Sequence, residues 1–337
     1  MDAPPAVNAG RASRWSSLRR ECYRPPMIFK RVVERSLRIA CCCAAILACA
    51  CAHAPPPLHS ARLKIQESEG AYAAFVRARV AGEPIFLLVD TGAAENSLPE
   101  SFVRARGMSA RSPTFADGYR DATGTIAYLG RLSGVLVQFD GETEAGKLDF
   151  VVNPNDLGGI GILAPQQLVR SGNALVIDLG RAELRYEAEE AALKRVAAES
   201  PAPLRQLEYH KCLTEDLFKE YHRVVSISIN GVEAEMLVDT GASRTALSRN
   251  NPAIQSIIER KGKRGTTTAV TSIGSNLLVP DVPLEVAGTS FVLPVLVHPY
   301  SEHCGKGVLG GDVLRHCTVV WGSSSLSATC RAPADVK

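Results

Sequence analysis

One pattern occurs twice in this chain, and that duplication constrains the fold more than any other feature. Residues 76–98, "VRARVAGEPIFLLVDTGAAENSL", align without a gap on residues 225–247, "VSISINGVEAEMLVDTGASRTAL", at an offset of 149. Each copy reads as a strand, a turn at Gly82 or Gly231, and a second apolar strand ending abruptly in Asp-Thr-Gly. Downstream, "GILAPQQL" (161–168) matches "GVLGGDVL" (307–314), and "NALVIDLGRAELRYE" (173–187) matches "CTVVWGSSSLSATCR" (317–331), a terminal hairpin in each case. Short strands between Gly- and Thr-containing turns predict a mostly β fold. The period is far too long for a solenoid, so the pattern predicts two tandem lobes of one fold, related by internal duplication. Their expected spans are 61–187 and 221–331. Between them, 188–220 opens with the Ala/Glu-rich run "AEEAALKRVAAESPAP", which predicts a helical linker ending before Pro201 and Pro203.

The net charge of +3 conceals an uneven distribution. Residues 1–48 hold nine of the 38 Lys/Arg and three of the 35 Asp/Glu, which leaves 29 basic and 32 acidic residues for the rest. A slightly acidic body without a basic stripe argues against a nucleic-acid partner. The basic excess belongs instead to "MIFKRVVERSLRIACCCAAILACACAHAPPP", which begins at Met27. A positive segment, a short apolar run and small residues form the pattern of an export signal. The run is shorter than the roughly 20 apolar residues that a membrane-spanning helix needs. "ILAC", ending at Cys49, resembles a bacterial lipobox. The expectation for 1–51 is therefore an extension plus a signal, with Cys49 as a lipid anchor. Cleavage to a periplasmic or secreted form is the alternative.

Six of the ten cysteines precede residue 52, leaving Cys212, Cys304, Cys317 and Cys330 in the body. An even number in an exported chain predicts two disulfides. Cys317 and Cys330 flank a symmetric hairpin pattern and form one expected pair; Cys212 with Cys304 would follow, although three pairings are possible. The "HC" pairs at His303–Cys304 and His316–Cys317 make poor metal clamps, because neighbours on a strand point to opposite faces. No metal or cofactor is expected.

Two Asp-Thr-Gly-Ala motifs in register, each with an apolar-apolar-small motif downstream, resemble the aspartic protease clan. The likeness covers roughly residues 70–331, and the short lobes look more like retropepsin units fused in one chain than like pepsin lobes. It implies two acid-protease-type β-barrels with Asp90 and Asp239 as a catalytic dyad. It also implies that Thr91 and Thr240 cross-link the two loops, and that Gly92 and Gly241 form the tight turns. The chemistry accounts for the residue types. Two carboxylates a few Å apart share one proton, so one can deprotonate water while the other protonates the carbonyl oxygen of a peptide bond.

The expected partner is a peptide or protein substrate, with no obligate oligomer. Ala93 and Ala242 stand where pepsin-like relatives often carry a hydroxyl that would lower the carboxyl pKa, which predicts a less acidic optimum. Ala164 in "ILAP" stands where "VLGG" has a glycine, and its methyl group is either simply tolerated or shifts the Asp90 loop and weakens the dyad. A flap hairpin is expected at 117–130, with Gly118 at its tip and Tyr119 as its aromatic, and a second at 264–275. Two other readings compete with an endopeptidase: a catalytically weak peptide-binding module of the cell envelope, and a purely structural envelope lipoprotein.

Overall fold

The computed structural model describes residues 59–68, 70–111, 128–142, 146–155, 157–211, 222–251, 253, 263–269, 272–298 and 307–333, with backbone alone for 263–269 and 272–276. The expected signal and Cys49, the flap residues Gly118 and Tyr119, and the Cys212–Cys304 pair lie outside the described residues.

The described chain is mostly β. In the first half, β1 (Ser60–Ser68), β2 (Ala71–Val80) and β3 (Glu83–Val89) form a meander. β4 (Ser97–Pro99), helix α1 (Glu100–Ala105), β5 (Gly130–Phe139), β6 (Gly146–Asn153) and β7 (Gly161–Leu163) follow. The strand order β2-β3-β7-β4-β6-β5 closes on itself, because β2 also pairs with β5. The second half repeats this arrangement with β12 (Arg223–Ile229), β13 (Val232–Val238), β14 (Ala246–Ser248), β16 (Ser272–Val286), β17 (Thr289–His298) and β18 (Gly307–Leu309). Its order β12-β13-β18-β14-β17-β16 closes through a β12–β16 pairing. Each half is thus a small barrel, and closure removes the open strand edges that would invite aggregation.

Local sequence explains these strands. β2 alternates between buried and more exposed residues along its length, as a strand with one covered face must. β3 and β13 share one burial pattern, with three consecutive buried residues at the C-terminal end. Those ends run beside β7 and β18, each in a parallel pair, and are covered on both faces, hence the uniformly apolar "LLV" and "MLV". The two-residue turns that start β3 and β13 place both central residues at positive φ, Ala81 and Gly82 in one case and Asn230 and Gly231 in the other. That is the type I′ geometry, which matches the strand twist.

Two hairpins leave their barrels. β8 (Asn173–Asp178) with β9 (Glu183–Ala188), and β19 (Cys317–Gly322) with β20 (Leu326–Cys330), meet edge to edge. β8 pairs antiparallel with β19, from Thr318 opposite Asp178 to Gly322 opposite Ala174. Both halves therefore share one sheet, flanked by β1 on one side and by β10 (Arg205–Gln206) on the other. Cys317 and Cys330 face each other across β19 and β20 and form a disulfide. The connection between halves carries helix α2 (Glu189–Glu199), then β10 and β11 (Tyr209–Lys211). Ala192 and Val196, one helical turn apart, pack on Ala174, Val176 and Val320 of the shared sheet. The helix stops at Ser200, where Pro201 disfavours continuation.

The expected hairpin at 264–275 is present as β15 (Lys263–Ala269) paired antiparallel with the first part of β16.

Candidate active site

β3 and β13 deliver Asp90 and Asp239 to one place. Each loop is pinned by the short strand beside it: the Asp90 N–H donates to Leu163 O at 2.9 Å and the Asp239 N–H to Leu309 O at 3.1 Å. Each carboxylate then receives two backbone N–H groups from its own turn. Asp90 Oδ1 accepts from Gly92 and Ala93, both at 2.9 Å. Asp239 Oδ1 accepts from Gly241 at 2.8 Å and Ala242 at 3.1 Å.

Below the carboxylates the two turns are cross-braced. The Thr91 hydroxyl donates to Val238 O at 2.8 Å and accepts from the Thr240 N–H at 3.0 Å. The Thr240 hydroxyl donates to Val89 O at 2.7 Å and accepts from the Thr91 N–H at 3.1 Å. Both threonines are inaccessible to solvent, so each of these groups depends on the other half for its partner.

The glycines face the opposite carboxylates. A methyl group built at Gly92 would lie 2.6 Å from Asp239 Oδ1, and one built at Gly241 would lie 2.6 Å from Asp90 Oδ2. Only a residue without Cβ fits between turn and carboxyl group. Each carboxyl group therefore lies against the turn that carries the other. Burial, and then the negative charge of Asp239, hold the Asp90 carboxyl well above the ordinary range, against the pull of its two backbone donors. Asp90 therefore keeps its proton to higher pH than an isolated carboxyl group would.

The halves differ in how they support these turns, and the differences compensate for one another. In the second half, the Thr245 hydroxyl accepts from the Gly310 N–H at 3.1 Å and donates to Asp312 Oδ1 at 2.7 Å. A methyl group at Gly310 would come within 2.8 Å of the Thr245 nitrogen. In the first half the matching residues are Asn96 and Ala164, and the Ala164 N–H donates to Asn96 Oδ1 at 2.9 Å. The asparagine acceptor reaches one bond farther from its backbone than a threonine hydroxyl does, which leaves room for the Ala164 methyl group. Pro165 lacks the N–H that Gly311 donates to Ala242 O at 2.7 Å. The Gln166 side chain supplies that donor instead, to Ala93 O at 2.5 Å. The Ala164 methyl group is tolerated at the Asp90 turn, where the backbone contacts of Asp90 match those of Asp239.

Four residues near the site carried no signal in the motif. Asn96 and Gln166 were visible only as polar residues inside aligned blocks. Tyr72 spans the halves, its N–H donating to Ser243 O at 3.0 Å and its hydroxyl to Leu179 O at 2.6 Å, and burial raises its pKa to about 12. His222 is buried just before β12, and burial lowers its pKa against the opposing pull of the Asp239 charge and the Gly92 backbone.

A family model described as "gag-polyprotein putative aspartyl protease" matches residues 225–316. That span contains the second Asp-Thr-Gly turn and its supporting strand β18, and the match supports a retropepsin-like aspartyl protease family. No match was found among curated proteins.

Proposed function

We propose that the protein is an aspartic endopeptidase whose Asp90 and Asp239 activate one water molecule between the two barrels. The observation that carries this reading is a pair of carboxyl groups on reciprocally braced turns, each lying against the glycine of the other turn. In this scheme Asp90, whose carboxyl group is held above the ordinary range, carries the proton, and Asp239 acts as the base. Asp239 takes a proton from water as the hydroxide oxygen adds to the peptide carbonyl carbon, and Asp90 gives its proton to the carbonyl oxygen. Collapse of the tetrahedral intermediate breaks the C–N bond, returns the hydroxyl proton to Asp90 and passes the proton on Asp239 to the departing amine. Thr91 and Thr240 hold the separation of the carboxyl groups, and Gly92 and Gly241 keep the turns in contact with them. The reading extends to an exported enzyme tethered through Cys49 and acting on peptides or proteins outside the cytoplasm.

Incubation with a peptide library across pH tests the proposal. Wild type should cleave, Asp90→Asn and Asp239→Asn should lose activity, and a statine-type transition-state analogue should inhibit. With alanine at 93 and 242, the optimum should lie above about pH 3. Saturable binding of peptides without cleavage at any pH would favour the peptide-binding module instead.

A further inference from the structure

Resting on the reading of an exported chain tethered through Cys49, we propose that the outer face of the first barrel is a docking surface for anionic lipid headgroups. It seats the first half on the membrane and turns the second half away from it.

Strand register builds this face. In β1 the exposed Arg62 and Lys64 alternate with the buried Ala61 and Leu63, and in β2 the exposed Arg77 and Arg79 alternate with the buried Val76, Ala78 and Val80. Antiparallel pairing sets Arg77 opposite Phe86 and Arg79 opposite Pro84 of β3, and Arg79 also opposite Gln138 of β5. Beyond, Leu136 of β5 stands opposite Lys147 of β6. Directly opposed residues share a face of the sheet, so cations up to 85 residues apart gather on one side. They form no stripe in the sequence. The Lys64 ammonium reaches across β2 to lie 4.9 Å from the centroid of the Phe86 ring. Phe86 and Leu136 are 36% and 52% exposed. Asp140 lies 3.5 Å from Arg77, and Glu183, opposite Arg62, is bridged to Arg185 at 2.8 Å. Asp149, farther along β6, accepts the Gly134 N–H at 2.7 Å. Lys64, Arg79 and Lys147 have no carboxylate partner among the described residues.

The duplication supplies an internal control. The offset of 149 puts Ser226 and Ser228 in the places of Arg77 and Arg79, and Glu233 and Glu235 in those of Pro84 and Phe86. The register is the same, with Ser226 opposite Glu235 and Ser228 opposite Glu233. Glu285 stands opposite Ser228, as Gln138 does opposite Arg79. One fold thus carries a basic face with exposed apolar side chains in its first copy and an acidic face in its second. The barrel itself requires neither charge. An anionic bilayer attracts the first face and repels the second, which orients the molecule.

The tether leads to the same half. Cys49 precedes Ser60, the start of β1, by 11 residues, a reach of at most about 40 Å. A lipid chain combined with a basic patch is a stable form of anchoring, and Phe86 and Leu136 suit the boundary between headgroups and acyl chains. Asp90 lies four residues beyond Phe86, about 13 Å farther along β3.

The test uses the full chain carrying Cys49→Ser, which holds no lipid, so that every variant keeps the same basic leader. It should sediment with vesicles of phosphatidylcholine containing about one-third phosphatidylglycerol, and be released as salt rises. Adding Arg62→Gln, Lys64→Gln and Arg79→Gln should lower partition at least tenfold. Adding Arg62→Lys, Lys64→Arg and Arg79→Lys instead should leave partition unchanged. Equal partition of the neutralised variant would overturn the proposal. So would the same loss in the charge-keeping variant, or duplex DNA held as tightly as the vesicles at equal salt. Peptide cleavage by both variants should match that of their parent. If wild type cleaves nothing, the protease reading fails, and vesicle partition still decides whether this face docks on lipid.

Discussion

Replacing Thr240 with valine removes one hydroxyl and little volume, and the structure says what that hydroxyl does. It donates to Val89 O at 2.7 Å and accepts from the Thr91 N–H at 3.1 Å, both in a region closed to solvent. Valine leaves two backbone groups buried without partners, each costing about 1–3 kcal/mol. Thr240→Val should therefore destabilise the protein by about 2–5 kcal/mol, seen as a lower denaturant midpoint at unchanged slope. Thr91→Val breaks the mirror-image bonds to Val238 O and the Thr240 N–H and should cost a similar amount. The four bonds form one brace, so the double variant should lose at least 1 kcal/mol less than the sum of the single losses. A loss below about 0.5 kcal/mol for either single variant, or strict additivity in the double, would refute the idea that the turns hold each other.

Other consequences can be checked as directly. Asp90 has its folded pKa raised above the unfolded value of about 3.9, so the native state binds the extra proton between those values. Its contribution to stability is complete below about pH 4 and is lost as the pH rises through the folded pKa. Asp90→Asn should accordingly melt higher than wild type at pH 7, with the gap closing by about pH 4 in a calorimetric series. Ala81 is an exposed alanine at a φ of 50° in the turn before β3, where the second half has Asn230. Ala81→Asn should stabilise by about 0.5–1 kcal/mol in denaturant unfolding, because asparagine tolerates the left-handed region better. Ala164→Gly should leave peptide cleavage within about twofold of wild type and lower stability by about 1 kcal/mol, since the methyl group fills buried space that Asn96 holds open.

Local pattern accounts for a large part of this protein. The alternation along β2, the two-residue turns at Gly82 and Gly231, and the apolar strands running into Asp90 and Asp239 are decided within about ten residues of chain. All were therefore legible in the sequence, and duplication made them more so. The Cys317–Cys330 pairing was legible for the same reason, since a hairpin places its own ends opposite each other. The compensations around Asp90 were not. Whether Ala164 crowds the turn depends on Asn96, 68 residues away, and whether Ala93 O finds a donor in place of a proline nitrogen depends on Gln166, 73 residues away. A linear motif registers the departure from glycine but not the longer side chain that makes room for it.

The joining of the halves was equally hidden. Sequence alone determined that this chain carries two copies of one β unit, each presenting a carboxylate at the end of a buried strand. Tertiary structure decided that the copies meet through β8 and β19, that each threonine completes the other's hydrogen bonds, and that Tyr72 donates its N–H to Ser243 of the opposite half. Those relations arise from contacts between segments more than a hundred residues apart, and local propensity carries no term for them. Only when the barrels close and meet do the two Asp-Thr-Gly turns come to brace each other.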